Sequence, residues 1–198
     1  NTKTTTPKEI SKILAKKTAM ISYSITDSNI FIYLITKQDF QIYRIPKPDS
    51  LDIKIDFLRQ SISNIDIIKK DRNNNTNKSV DYYVENAFNF YKLLFPSELE
   101  CLLEKRKIEN IVIIPDGDLV LLPFETLLTE SYDTVKWTGW TNYNKYYSQM
   151  PYMLKKYNIS YSYSATLYIE TLQMSNKKKN EAKYDWIGFA PVFDDKRT

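Results

Sequence analysis

The sequence contains no histidine among its 198 residues. For these residues taken alone, this absence excludes Ser-His-Asp and Cys-His catalysis and every zinc site built on histidine. Cysteine occurs once, at Cys101, so no disulfide can form within the chain, which is typical of proteins in a reducing compartment. Only three glycines are present, which disfavours a function that depends on glycine-rich loops around phosphate groups.

Long hydrophobic runs are also missing. No stretch approaches the ~20 apolar residues of a transmembrane helix, and the polar N-terminal residues do not resemble a signal peptide. We therefore expect a cytoplasmic protein with no membrane partner. The net charge is only +4, and its basic runs at 69–72 and 177–179 lie beside Asn-rich breaks typical of solvated loops. We expect neither direct nucleic-acid binding nor a cofactor.

What is present is an ordinary globular composition, with 42% hydrophobic and 26% charged residues. Thr6, Pro7 and Glu9 form a capping box with proline at the first helical position, and predict a short helix within residues 6 to 17 that docks on another element. Alternating apolar residues then predict a three-stranded antiparallel meander near 19–25, 30–36 and 40–45.

From Leu51 the hydrophobic residues recur with the period of a helix, and a second such pattern begins at Val80. These patterns predict two helices. Ser97 and Glu100 predict a second capping box, at the start of a third helix. The apolar run from Ile108 to Ile114 is typical of a strand that is buried on both faces.

Two further strands are predicted at 159–165 and 184–193, and the helix between them begins at Ser164 as its cap. Strands that alternate with helices favour parallel pairing. The sequence therefore predicts an α/β fold in which an N-terminal antiparallel meander plus helices lead into a mostly parallel sheet.

The stretch ENIVIIPDGDLVLLPFETLLTE, at residues 109 to 130, suggests several kinds of site. It has too few glycines and no lysine for a phosphate-binding P-loop, and no Ser or Cys for a nucleophile elbow. A calcium loop requires oxygen ligands where Val120 and Leu121 stand. The carboxylates leave an independent hydrolase open, although nothing in their spacing supports one; they are Asp116, Asp118, Glu125, Asp194 and Asp195.

A structural interpretation of this stretch accounts for more of its residues. Pro115 ends the strand, Asp116 accepts backbone N–H groups, and Gly117 adopts a positive φ in a tight turn. The residues at 119–122 return to the core. The prediction is completed by a helix that begins at Pro123 with Phe124 buried and Glu125 in its first turn. We assign no catalytic, cofactor-binding or metal-binding residue in the chain.

The segment IVIIPDGDLVLLPFETLL resembles the strand, proline-aspartate-glycine turn and LPFE segment of the CHAT domain, which is related to caspases and separases and found beside tetratricopeptide repeats. Three further segments resemble that family in the same order: AMISYSITDSNIFIYLIT, YMLKKYNISYSYSATL and WIGFAPVF. The resemblance implies a caspase-like sheet that is incomplete at the C-terminus. Residues 1–17 would then be a linker or docking helix at the end of a helical repeat array, and 18–198 the N-terminal part of the domain.

In that family the catalytic histidine and cysteine follow the strand that here reads WIGFAPVF, and Cys101 precedes the turn. The resemblance therefore implies the non-catalytic N-terminal half of a cysteine peptidase. Its implied partners are the remaining C-terminal half of the domain, in the same chain or a cleaved one, an upstream helical-repeat sensor region and a protein substrate.

A catalytically inactive interaction module is the alternative hypothesis. Its candidate interface is the aromatic segment at 137–152, with Trp137 and Trp140, because clustered aromatic side chains often form binding hot spots. The competing interpretation of this segment is an insertion folded over the sheet, with its rings half buried.

Overall fold

The computed structural model describes residues 5–64, 69–71, 78–134 and 143–177. Its helices are α1 (Pro7–Ile13), α2 (Leu51–Ser63), α3 (Lys78–Leu94), α4 (Ser97–Lys105), α5 (Tyr143–Gln149), α6 (Met153–Lys156) and α7 (Ala165–Lys177). Its strands are β1 (Thr18–Ile25), β2 (Asn29–Ile35), β3 (Phe40–Pro46), β4 (Asn110–Ile114) and β5 (Asn158–Tyr161). No helix in these ranges is long and apolar enough to cross a membrane.

The five strands form one mixed sheet in the order β3-β2-β1-β4-β5. β1, β2 and β3 pair antiparallel, which confirms the predicted N-terminal meander. β4 is parallel to both β1 and β5. The pairings between described strands are therefore evenly divided between the two kinds, and the expectation of a mostly parallel sheet is too strong for this part of the chain. The predicted strand at 184–193 lies outside the described residues.

One face of the sheet packs against helices α2, α3, α4 and α6. From β1 it presents Ala19, Ile21 and Tyr23, which are at most 3% exposed. This period-2 burial is what the alternating sequence predicts for a strand. The partners on α3 include the buried Phe90.

The opposite face, called here the second face, is covered in part by α1 and α7. Met20 of β1 and Val112 of β4 contact a smaller apolar cluster that includes Ile10 of α1 and Ile169 of α7. Because Ile111 and Ile113 belong to the first face while Val112 and Ile114 belong to the second, β4 is buried on both faces, as predicted. The short helix α1 docks on this second face and gains there the packing that it lacks alone.

Helix caps show where local sequence rules hold and where they fail. The Thr6–Glu9 capping box is formed, and Ser164 Oγ accepts the amide of Leu167 at 3.1 Å, so both predictions are confirmed. The capping box predicted from Ser97 and Glu100 is wrong. Pro96 occupies the N-cap position, and Glu100 instead accepts a hydrogen bond from the Tyr91 hydroxyl at 2.6 Å. A tertiary partner has displaced the local one.

Candidate functional site

The parallel strands β1, β4 and β5 end side by side at Ile25, Ile114 and Tyr161. We call this border of the sheet the carboxyl edge. In open α/β sheets, ligands bind outside the carboxyl ends of parallel strands. The stretch that the sequence singled out contains β4, and its Pro-Asp-Gly turn lies at this edge.

Asp116 and Gly117 form the turn that follows β4. The Asp116 carboxylate accepts the backbone amide of Ile25 at 2.7 Å, so it ties this turn to the end of β1. Gly117 has a φ of +53°, and a Cβ at this position would lie 3.4 Å from Ile25 Cδ1. Pro115 precedes the turn outside β4. These contacts hold the turn against the end of β1.

The residues after the turn form a 3-10 helix, Gly117–Leu121. Leu119 and Leu122 are buried as predicted, but Val120 and Leu121 are 61% and 53% exposed, so the expected return of all four residues to the core is wrong. Side chains at positions i and i+3 lie on the same side of a 3-10 helix, which explains why Leu119 and Leu122 are both buried.

Pro123 does not start an α-helix. It is the N-cap of a single 3-10 turn, Phe124–Thr126. The predicted helix is wrong, because the backbone is already extended at Leu127. Phe124 is fully buried, as predicted, with its ring centroid 5.5 Å from that of Tyr23. The Glu125 carboxylate accepts a hydrogen bond from the Tyr161 hydroxyl at 2.7 Å.

Tyr161 is the residue of this edge that sequence reasoning missed. Its hydroxyl donates to Glu125 and accepts the backbone amide of Phe124 at 3.2 Å, so it joins β5 to the 3-10 turn Phe124–Thr126. Burial and the neighbouring Glu125 carboxylate raise the pKa of the Tyr161 phenol, which stays neutral and able to donate. The repeated Tyr-Ser pattern of β5 was the available signal, since alternate residues of a strand share a face.

Beside Tyr161 lies an open depression of about 320 Å³. Its floor and walls are largely apolar, with Val120, Leu121 and Pro123, and Arg59 of α2 contributes a cation to the lining. A shallow, largely apolar surface of this kind is suited to contact with another polypeptide segment, and its described lining contains no serine or cysteine that could act as a nucleophile.

The carboxylates of this edge are not arranged as a catalytic or metal site. Asp116 and Glu125 are engaged with Ile25 and Tyr161, and no group of three potential ligands is found among the described residues. Asp194 and Asp195 lie outside the described part of the chain, as do Trp137 and Trp140. Cys101 is exposed on α4 and does not line this depression.

Fold and edge together define a class: a mixed α/β domain in which a buried parallel strand leads into a Pro-Asp-Gly turn held by its neighbours. Comparison with known families makes this class specific. The CHAT domain matches residues 85–196, which cover most of α3 and all of α4, β4, the turn, β5 and α7. The chain therefore belongs to the CHAT domain family, a caspase-like peptidase family. No curated protein that was compared with the chain matches it.

Proposed function

We propose that this chain is the non-catalytic N-terminal portion of a CHAT-type cysteine peptidase domain. The observation that carries the proposal is the family match over a segment that includes the Pro-Asp-Gly turn, in a sequence with no histidine. A histidine–cysteine dyad would have to be supplied by residues outside these 198. In this role the parallel strands form a rigid platform beside which the catalytic residues are held.

The partners follow from that role. The exposed apolar residues of the carboxyl edge, Val120, Leu121 and Tyr163, provide a surface for the remaining portion of the domain. Helix α1 lies on the second face of the sheet against α7, where it would transmit a displacement from an upstream helical-repeat region. The substrate in this proposal is another protein, cleaved by the complete domain.

The deciding experiment is mass spectrometry of the native particle under denaturing conditions. A longer chain, or a second polypeptide that co-purifies with this one, should contain histidine and cysteine. A particle composed of these residues alone would overturn the proposal. It would favour the inactive interaction module.

A cysteine-directed activity probe then tests the chemistry. A peptidyl acyloxymethyl ketone should label a cysteine that lies outside residues 1–198, because alkylation requires a thiolate activated by a neighbouring base. Cys101→Ser is the matched control and should leave the labelling unchanged, since Cys101 is an exposed residue of α4. Labelling that disappears in this variant would contradict the proposed role.

A further inference from the structure

A second depression lies at the opposite border of the sheet, where β1 and β4 begin and β2 ends. We call this border the amino edge. Three loops meet there: the link from α1 to β1, the β2–β3 hairpin loop and the link from α4 to β4. They surround an open depression of about 550 Å³, which falls in the size range of small-molecule sites. We call it the amino-edge depression.

The lining of this depression carries charge of one sign. Lys16, Lys17, Lys37 and Arg106 line it, and none of its lining residues in the described part of the chain is a carboxylate. These cations come from three separate loops, so the fold brings together charges that are up to 90 positions apart in the sequence. Convergence of this kind is a property of the tertiary structure and differs from a run of lysines in one solvated loop.

Two of the four cations have carboxylate partners and two do not. Lys17 pairs with Glu109, and Arg106 pairs with Asp39 through two hydrogen bonds of 2.7 and 2.8 Å. Lys16 and Lys37 form no ion pair within the part of the chain that the structure describes. The depression therefore retains two uncompensated positive charges.

A spare hydroxyl group adds to these charges. Thr18 lines the depression, is 6% exposed, and forms no side-chain hydrogen bond with any described residue. The neighbouring Thr36 hydroxyl is different, because it donates to the Asp39 carboxylate at 2.8 Å and accepts two backbone amides. Thr18 is thus an unused donor in a site whose other hydroxyl is already committed.

The position of Arg106 is fixed before any ligand arrives. Asp39 holds its Nε and Nη2 atoms, and Thr36 in turn holds Asp39. The hydrogen bond from Arg106 is the main cause that lowers the pKa of the Asp39 carboxyl, with smaller contributions from Thr36 and Lys105. The pair leaves further guanidinium N–H groups free for a ligand, since a guanidinium has five.

We propose that the amino-edge depression binds a small ligand that carries two or more phosphate-type groups. Such groups combine multiple negative charge with acceptor oxygens, which matches lysines, an arginine and an unpaired hydroxyl. The volume exceeds that of a single phosphate ion and is too small for a folded partner. The inference does not depend on the proposed peptidase role, because the site lies at the other border of the sheet.

Isothermal titration of the purified native protein with tripolyphosphate tests this proposal. We expect one ligand per chain, with binding that weakens between about 50 mM and about 300 mM salt. The double variant Lys16→Gln, Lys37→Gln should bind about tenfold or more weakly, because both unpaired charges are lost. Thr18→Val should weaken binding by about threefold through loss of one hydrogen bond.

The matched control is Lys54→Gln, Lys70→Gln. It removes the same total charge from exposed positions on other parts of the surface, and we expect less than a twofold change in affinity. Equal losses in the two double variants would overturn the proposal, since they would show attraction to net charge alone. Absence of binding at millimolar tripolyphosphate would overturn it as well.

Two further titrations identify the source of the phosphate groups. ATP that binds as tightly as tripolyphosphate would support a site that recognises phosphates alone, and tighter binding of ATP would support a nucleotide ligand. AMP should bind more weakly than either, because it has a single phosphate group for two unpaired lysines. AMP that binds as tightly as ATP would contradict the requirement for several phosphate groups.

Discussion

The carboxyl edge and the amino edge of the sheet use charged residues in opposite ways. At the carboxyl edge, Asp116 and Glu125 each accept a hydrogen bond from a residue of a neighbouring strand. At the amino edge, Lys16 and Lys37 lie beside two other cations. Among the described residues, neither Lys16 nor Lys37 has a carboxylate partner. Charges that are satisfied within the chain stabilise a turn, whereas like charges brought together without compensation favour an external anion.

The largest expected effect concerns the core beneath the carboxyl edge. Phe124→Ala should lower the free energy of unfolding by about 3–5 kcal/mol, because it empties a fully buried site against Tyr23. Urea denaturation measures this change. The neighbouring Val120→Ala variant should change stability by less than about 0.5 kcal/mol, since Val120 is mostly exposed. Equal losses of stability in the two variants would mean that the Phe124 side chain does not anchor this edge.

A smaller effect is expected at the bond between the turn and β1. Asp116→Ala should cost about 1–2 kcal/mol and speed hydrogen exchange at the Ile25 amide, which loses its acceptor. Asp116→Asn keeps a side-chain oxygen and should recover part of this loss. Asp118→Ala is the control for charge, and it should leave the Ile25 amide protected. A protected amide in Asp116→Ala would contradict the assignment of this bond.

The Tyr161 hydroxyl should contribute less again. Tyr161→Phe removes the link between Glu125 and the Phe124 amide and should cost about 0.5–1.5 kcal/mol in urea denaturation. The matched variant is Tyr163→Phe, which removes the hydroxyl of a tyrosine that is 93% exposed. It should be neutral. A comparable loss in both variants would show that tyrosine hydroxyls act here through solvation and not through the Glu125 contact.

The last prediction concerns how the stability contributed by Asp39, at the amino edge, depends on pH. Arg106 lowers the pKa of Asp39 in the folded state. Asp39 therefore stabilises the fold above its unfolded-state pKa of about 3.9, and this stabilisation is lost as pH falls through the folded-state pKa. Asp39→Asn should therefore be less stable than the wild type near neutral pH, and the two stabilities should converge in strong acid. Curves for Asp39→Asn that stay parallel to the wild type would exclude this linkage.

Sequence patterns predicted those elements whose causes are local. The alternation in the meander, the Thr6 cap and the apolar run of β4 each follow from neighbouring residues, and each is confirmed. Prediction failed where a distant residue decides. Glu100 bonds to Tyr91 and Lys156 and caps no helix, and β5 is shorter than the predicted strand.

The same distinction separates the two edges. Asp116 and Gly117 were predictable because the turn type demands those residues. Tyr161 and the amino-edge depression were not, because their partners lie on elements whose adjacency only the strand order reveals. The roles assigned to Trp137 and Trp140 stay predictions, as does the division of the chain at residue 17.

The docking of α1 against α7 also has a consequence for the order of events during synthesis. The hydroxyls of Thr5 and Thr166 lie 3.1 Å apart although 161 positions separate them in the chain. At about 5–20 residues per second, the ribosome needs about 8 to 30 seconds to make the residues between them. The apolar side of α1, with Ile10 and Leu14, therefore emerges long before α7 exists to help cover it. The newborn chain must protect this hydrophobic surface while most of the sheet is still being made.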